Sequence, residues 1–506
     1  MTRRWLLPAA GFHPFPAEAS WEPDMAEKKK GLSFFTIIST VICVVFVCEA
    51  AAPAAAIGNQ QFFWWIFLII TFLVPYGLAV AELGTAYESD GGIIDWIRDG
   101  LGDKWAARAA YYYWVNYPFW IASLATLFPF IMTMISGYTI DFEANIWVTL
   151  GIELAFTWIV TFMAFSPVAD SEWVLNGGAI IKVAVAVLVG CVGIWYASKN
   201  GFASDMSPHT FLPDLSNVGA LGYLSIIIFN FMGFEVICTM ADDINDPKCE
   251  IPRAVIMGGM AIAIIYLFTS FGIGAAIPAD QIDPDFGMVV ALETMVGNGP
   301  LFKLVAVLFL ITMFANMASW SFGVNSVAAY AAKTGNMPKA FGKLNPKTGM
   351  PDNAAIINGV VASLILCIQI IPNESIANNI FWMLFGLSVV FLLLTYIPMF
   401  PAFLKLRQVD PNRERIYEFP FKGTMMKVAL FVPMIELVLT VIATLVPLSG
   451  AEVADKLPMI VGFIFFLVLG EVMRIVSAKD REVEYTGLTP ELAAQRLAEE
   501  AAAEQE

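Results

Sequence analysis

Charged residues are scarce in this chain of 506 residues. Asp, Glu, Lys and Arg make up 14% of it, whereas 58% of it is hydrophobic. A soluble domain carries roughly 25% charged residues, so the composition argues against an ordinary soluble enzyme. Repeated apolar runs of about 20 residues instead indicate one large membrane-embedded unit.

Metal-binding and redox patterns are missing as well. The six cysteines show no paired spacing, so neither a disulfide framework nor a zinc site is supported. The two histidines, His13 and His209, both fall outside the apolar runs, which excludes a histidine relay within the membrane. A net charge of −16 argues against nucleic acid as a partner. We expect no metal and no cofactor.

The chain contains no phosphate loop of the G-x-x-x-x-G-K-[ST] type, so ATP-driven transport by this chain alone is unsupported. No connection between apolar runs is long enough to form a catalytic domain. A carrier, a channel or an enzyme with an intramembrane site remain. Many apolar helices with few buried ionisable residues favour a carrier.

Hydropathy predicts twelve membrane-spanning helices, here called spans one to twelve. Their predicted ranges are 33–57, 62–84, 106–138, 143–166, 174–197, 219–241, 253–277, 299–332, 353–372, 376–403, 425–447 and 457–477. Of the 28 Lys and Arg residues, 24 lie at the termini or around the even-numbered connections, and three lie on the opposite side. Because cytoplasmic loops carry the excess of Lys and Arg, this asymmetry places both termini in the cytoplasm.

The two ends of the chain carry no pattern with a recognisable chemistry. Residues 1–32 predict a disordered cytoplasmic segment, in which Met25 begins a basic lead and 1–24 resemble an upstream extension. The stretch from Trp5 to Ala10 is too short and too proline-broken for the apolar core of a signal peptide. Residues 478–506 predict an acidic cytoplasmic tail that ends in a short, solvated helix.

Two spans are interrupted. Span one breaks its apolar pattern at Glu49 and Pro53, and span six carries Asn230, Gly233 and Glu235 within six residues. Proline removes a hydrogen bond within the helix, and a carboxylate inside the membrane is costly. Interrupted helices at matching positions of two halves indicate the midplane binding site of a transporter. A kink without function is the alternative for Pro53 alone.

Three groups of residues resemble motifs of the amino acid–polyamine–organocation superfamily of secondary carriers. They are Ala81-Glu82-Leu83-Gly84-Thr85-Ala86-Tyr87 with Gly91-Gly92-Ile93 and Trp96; Asn230 to Glu235 with Asp246-Pro247 and Pro252-Arg253-Ala254; and Asn325-Ser326 with Gly335-Asn336-Met337-Pro338 and Phe341. The first group, and Tyr113 to Asn116, look most like the glutamate/GABA and amine antiporter branch.

The resemblance implies an all-α membrane protein with an inverted repeat of two five-helix units and two further helices. The first unit would be 33–197, the second 219–403, and the last two helices 425–477. It also implies a permease or antiporter of the cell membrane that moves amino acids or their amine products by alternating access. Protons are a candidate coupling ion, and the choice between monomer and homodimer is open.

The chain departs from the family where span one is broken. The family usually has a Gly-Ser-Gly-like stretch there, whose freed amides hold a substrate carboxylate. Here the stretch is Phe46-Val47-Cys48-Glu49, with no glycine before Gly58. Two carboxylates, Glu49 and Glu235, would suit an amine better than an acid.

Two ionisable residues are candidates for proton coupling. In the antiporters that this chain resembles, a glutamate at the position of Glu235 senses protons or binds substrate. Lys182, well inside span five, stands where related sodium carriers hold a cation. The alternatives are a Glu235 bonded to freed backbone for stability only and a Lys182 that extends its ammonium to the nearer interface.

The predicted substrate-binding residues lie at the two breaks and on span eight. They are Glu49, Phe229, Gly233, Glu235 and Trp320. Glu49 could instead cap the second half of span one, and the aromatic side chains of Phe229 and Trp320 could serve packing only.

Other classes of protein remain as alternatives to the exchanger. A proton-coupled symporter or uniporter of the same fold would differ in its dependence on internal substrate. A major-facilitator carrier would have a long loop between spans six and seven, which is short here (about 242–252). An intramembrane enzyme would need a metal-ligand or nucleophile–base constellation, which we do not find in the sequence.

Overall fold

A computed structural model describes residues 33–87, 91–166, 172–213, 224–235, 237, 244–283, 286–371, 374–447, 452–479, 481 and 484–503, and all its regular elements are helices. The helices of the first half are Phe34–Val45, Ala51–Ala56, Gln61–Leu68, Val74–Ala86, Ile93–Leu101, Asp103–Ile135, Ile146–Met163, Glu172–Asn200 and Leu224–Phe229. Those of the second half are Pro247–Ala276, Gly287–Val296, Pro300–Lys333, Asp352–Leu366, Glu374–Tyr396, Met399–Val409, Gly423–Leu445, Glu452–Ala478 and Pro490–Ala503.

Ten helices in the described part are long and apolar enough to cross a membrane, and one bent pair adds an eleventh span. These agree with eleven of the twelve predicted ranges to within a few residues. Span six is described only over part of its length, so the number twelve stays a prediction. The five-plus-five inverted repeat also stays a prediction. The segment 1–32, predicted to be disordered, lies outside the described residues.

Span one is broken where its sequence predicts a break. Its first helix ends at Val45, a short 3-10 turn covers Cys48–Ala50, and the second helix begins at Ala51. The two halves are bent by 58°. Such a break frees backbone carbonyl groups inside the membrane, where each must find a hydrogen-bond donor from the protein.

In span six, the described helix also ends where the sequence predicts a break. This helix, Leu224–Phe229, ends directly before Asn230, and Gly233 adopts a φ of +106°. A side chain is strained in this left-handed region, so glycine suits the position. The chain therefore leaves its helical path next to Glu235.

The backbones of spans five and seven are in close contact at glycine residues. A Cβ atom added to Gly193 would lie 2.1 Å from the carbonyl oxygen of Gly272, and one added to Gly272 would lie 2.5 Å from that of Gly190. Helices in membranes associate largely by close packing, because lipid is as apolar as their side chains. These glycines hold the two helices that flank span one at a fixed distance.

Ion pairs to the buried Glu82 connect two spans at one end of the helix bundle. Glu82, at the end of span two, accepts hydrogen bonds from Arg407 at 2.5 Å, from Arg415 at 3.1 Å and from the Phe419 amide at 2.7 Å. The three donors belong to span ten and to the connection after it. Glu82 thereby ties span two to span ten, as a residue with a structural role would do.

The C-terminal tail is not fully solvated, contrary to the prediction. Its helix, Pro490–Ala503, forms as predicted. However, Leu488 is buried and its amide donates to the Asp99 carbonyl at 2.6 Å, and Arg496 pairs with the Asp99 carboxylate at 2.9 Å. The prediction missed this contact because Asp99 lies far away in the sequence, on the connector helix Ile93–Leu101.

We predict that Gly193→Ala lowers the thermal stability of the purified protein, because the new methyl group meets the Gly272 backbone, which cannot move without separating spans five and seven. The expected cost is roughly 1–3 kcal/mol. Gly151→Ala is the matched control, because a Cβ atom there has no neighbour within 4 Å. Equal unfolding temperatures for the two variants in detergent would contradict the close contact.

Candidate functional site

The freed carbonyl groups of span one are held by Lys182. Its ammonium donates to the carbonyl oxygens of Cys43 at 2.5 Å and Phe46 at 2.7 Å. The residue is 1% exposed. The alternative in which Lys182 extends to the interface is therefore wrong, because its ammonium is buried against the break in span one.

Span eight supplies further donors to the same break. The Asn316 amide donates to the carbonyls of Cys43 at 3.1 Å and Val44 at 3.2 Å, and the Trp320 indole donates to Val44 at 2.8 Å. Trp320 therefore does more than fill space. It fixes the end of the first half-helix and presents its ring to the region between the breaks.

Span seven forms hydrogen bonds with the backbone at the other end of the break, at Val47. The Tyr266 hydroxyl accepts from the Val47 amide at 2.8 Å and donates to the Val47 carbonyl at 3.0 Å. The Tyr266 ring is stacked on Trp65 of span two, with ring centres 5.1 Å apart. Three spans thus satisfy the backbone that the break exposes.

Glu235 lies in a pocket of tyrosines. Its carboxylate accepts hydrogen bonds from Tyr76 at 2.9 Å and from Tyr113 at 3.0 Å, and the side chain is 1% exposed. The Tyr396 ring of span ten lies 5.6 Å from the Tyr76 ring, centre to centre, and its hydroxyl group also interacts with Glu235. The carboxylate is held by hydroxyl groups of spans two and three, and the described residues place no basic side chain within 4 Å of it.

Gly233 brings the two breaks together. A Cβ atom at this position would lie 3.2 Å from Trp320 and 3.4 Å from the Val44 and Val45 side chains. The backbone of span six therefore runs directly against the end of the first half of span one. The two positions at which the sequence predicts breaks therefore lie side by side.

Glu49 lies beside the carbonyl network, and its carboxylate interacts electrostatically with the Lys182 ammonium. It lines a narrow crevice whose other walls are Val47, Ala50, Pro53, Trp120, Phe381, Trp382 and Phe385. The alternative role as a helix cap is not supported, because the second half-helix is preceded by Ala50 and has no side-chain cap. Over the described part of the chain, no basic side chain forms an ion pair with Glu49.

Phe229 belongs to the same aromatic group. Its ring lies 5.4 Å from Trp120 and 5.2 Å from Phe385, centre to centre. It stands one residue before the break of span six, between the Glu49 crevice and the region of Gly233. Its role in substrate binding stays a prediction, with packing alone as the alternative.

Several residues of the site were missed by the sequence analysis. They are Tyr76, Tyr113, Trp120, Tyr266, Asn316, Phe381 and Phe385. Asn316 carried a usable signal, because a polar amide inside an apolar span must find a partner. The aromatic residues carried none, because aromatic side chains are common throughout this chain and most of them serve packing or the interfaces.

The two broken spans, and the buried polar groups that converge on them, define the fold and site of a secondary transporter with discontinuous helices. The family model for amino acid permeases matches residues 32–469, and the chain belongs to this family. It is a transporter of the membrane and not an enzyme.

Individual relatives agree with this assignment. The chain is 45% identical over 454 residues to a probable agmatine/putrescine antiporter, AguD, of Lactococcus lactis, covering 89% of this chain and 96% of that protein. It is 23% identical over 415 residues to a glutamate/gamma-aminobutyrate antiporter of the same species, covering 79% and 80%.

A solved structure shows the same fold. The crystal structure of MhsT in complex with L-phenylalanine matches with a TM-score of 0.53 and 15% sequence identity, covering 83% of this chain and 99% of that chain. At this level of identity the likeness concerns the fold alone.

We predict that Lys182→Met lowers both the unfolding temperature and the transport rate, the latter at least tenfold. The variant keeps most of the side-chain volume but removes the donor of the Phe46 carbonyl and one of two donors of the Cys43 carbonyl. A buried carbonyl left without a donor costs roughly 1–3 kcal/mol. Lys199→Met, at the exposed end of the same span, is the control. If both variants behave like the wild type, the ammonium does not hold the break.

Proposed function

We propose that the chain exchanges cationic amines across the cell membrane, in the manner of an antiporter for agmatine- or putrescine-like substrates. One observation supports this most directly. Two buried carboxylates, Glu49 and Glu235, lie beside the breaks of spans one and six, and the described residues pair neither of them with a basic side chain. A substrate ammonium or guanidinium would supply the missing charge through strong hydrogen bonds.

The same arrangement disfavours an acidic substrate. The usual route for an α-carboxylate uses amide groups freed at the break of span one, and here Glu49 occupies that stretch. Lys182, the basic residue at the break, already donates to two carbonyl oxygens. A dicarboxylate would therefore meet two buried acidic groups, while the nearby Lys182 ammonium is already engaged with the backbone.

Proton coupling fits the same groups. Two carboxylates in one site repel each other, so without a bound cation at least one of them holds a proton. We infer that Glu235 exchanges this proton for the substrate cation and that Lys182 couples the exchange to the position of span one. A proton-coupled symporter or uniporter of the same fold is the second candidate, since the same groups could carry a proton along with the substrate.

The distribution of basic residues supports a cytoplasmic location for both termini. Arg407, Arg415, Arg481 and Arg496 all lie at the end of the molecule where the tail packs against the connector helix. Because the C terminus is proposed to be cytoplasmic, we predict that a fluorescent protein fused to it is fluorescent and that alkaline phosphatase fused to it is inactive. The opposite pair of results would reverse the proposed orientation.

We predict that proteoliposomes take up labelled agmatine only when they contain internal agmatine or putrescine. External putrescine and agmatine should compete, neutral amino acids should compete weakly, and glutamate should not compete, because two carboxylates face the site. Proteoliposomes with a mutated Lys182 and empty vesicles are the controls. Equal uptake without internal substrate would favour a uniporter or symporter, and strong competition by glutamate would contradict the amine site.

A further inference from the structure

A cavity lies at one end of span eight, outside the region of the two breaks. Its volume is about 190 Å³, whereas a single water molecule needs roughly 10–15 Å³ of such space. Span eight and the connection after it form the walls, through Ser326, Ala329, Tyr330, Lys333, Leu344, Gly349 and Pro351. The cavity therefore has room for a group of several non-hydrogen atoms.

The wall on span eight carries two polar groups that the protein leaves unused. Ser326 and Lys333 are seven positions apart on one helix, which corresponds to two turns on one face and about 10.5 Å along the axis. Among the described residues, Lys333 forms no ion pair and the Ser326 hydroxyl forms no hydrogen bond. By contrast, Ser319 and Ser321 of the same span donate to backbone carbonyl groups. The wall thus offers a cation and a hydroxyl donor to a ligand.

The opposite wall is a loop held by its own hydrogen bonds. The Asn345 backbone amide donates to the Met350 carbonyl at 2.8 Å, and the Gly349 amide donates to the Asn345 carbonyl at 2.8 Å. The Asn345 side chain donates to Asp352, at the start of span nine, at 2.6 Å. These bonds fix the loop that faces span eight, so the cavity is preformed.

The charge around the cavity is positive. Lys339, Lys343 and Lys347 follow Lys333 along the chain, and all four residues are exposed. The same stretch contains one acidic residue, Asp352. Such a cluster repels a cationic amine and attracts an anion, so the cavity is not a second site for the proposed substrate.

The cavity lies where two spans leave the membrane. Span eight ends at Lys333, and span nine begins at Asp352. Leu344 in the cavity wall is exposed, as are Ile356 and Val360 on the first turns of span nine, which is typical of side chains that face lipid. Basic pockets between helices at this level bind the headgroups of anionic lipids.

We propose that this cavity binds the phosphate group of an anionic phospholipid. Lys333 pairs with the phosphate through charge-assisted hydrogen bonds, and Ser326 donates to an oxygen atom of the headgroup. Ala329 and Leu344 contact the carbon atoms next to the phosphate. We assign the phosphate to a lipid and not to a soluble compound, because the cavity has an apolar side and lies at the membrane surface.

The test is native mass spectrometry of the purified full chain with phosphatidylglycerol and phosphatidylcholine. The wild type should bind phosphatidylglycerol at least fivefold more tightly, because one lysine near an anionic headgroup contributes about fivefold. Lys333→Gln should reduce this ratio to below twofold. Ala329→Leu, which fills the cavity without changing its charge, should do the same.

Lys347→Gln is the matched control, because Lys347 is an exposed lysine of the same connection that does not line the cavity. It should keep a ratio of at least fourfold. If Lys347→Gln lowers the ratio as much as Lys333→Gln, or if Ala329→Leu leaves it unchanged, the lipid is attracted by the loop charge and the cavity is not its site. If millimolar glycerol 3-phosphate displaces phosphatidylglycerol, the ligand is a soluble phosphate and the lipid assignment is wrong.

Discussion

The hydrogen bonds from Lys182 to the freed carbonyls of span one are the contact on which the site depends. A helix interrupted inside the membrane exposes backbone groups that lipid cannot satisfy. Lys182 satisfies two of them from span five, while Asn316, Trp320 and Tyr266 satisfy others from spans eight and seven. The break therefore persists as a defined shape, and the glycine contact between spans five and seven keeps its donors in place.

The positions of both carboxylates depend on this hydrogen-bonded break. The bend of 58° turns Glu49 toward the aromatic side chains of spans three and ten. The left-handed Gly233 lets span six run against span one and places Glu235 among the tyrosines of spans two and three. The two carboxylates lie beside the two breaks, and the nearby Lys182 already donates to two carbonyl oxygens. This arrangement is the basis of the proposal that the substrate is a cation.

The sequence predicted the positions of the two breaks but not the aromatic residues that surround them. Proline, glycine and acidic residues inside apolar runs predicted both breaks, because these residue types are costly in an ordinary transmembrane helix. Lys182 stood out for the same reason, although its partners did not, since backbone acceptors leave no trace in a sequence. Tyr76, Trp120 and Phe385 could not be distinguished from lipid-facing aromatic residues, because only the packing of distant spans decides which ring faces the site. The contact of the tail with Asp99 was missed because nothing local requires it.

The most direct test of the account is the structure of the full chain in a lipid nanodisc with saturating agmatine, determined by cryo-electron microscopy. The account predicts an ammonium or guanidinium group of the ligand within hydrogen-bond distance of Glu49 or Glu235. Lys182 should still donate to the carbonyls of Cys43 and Phe46. A ligand that contacts neither carboxylate, or a Lys182 that has left these carbonyls while the break remains, would contradict it.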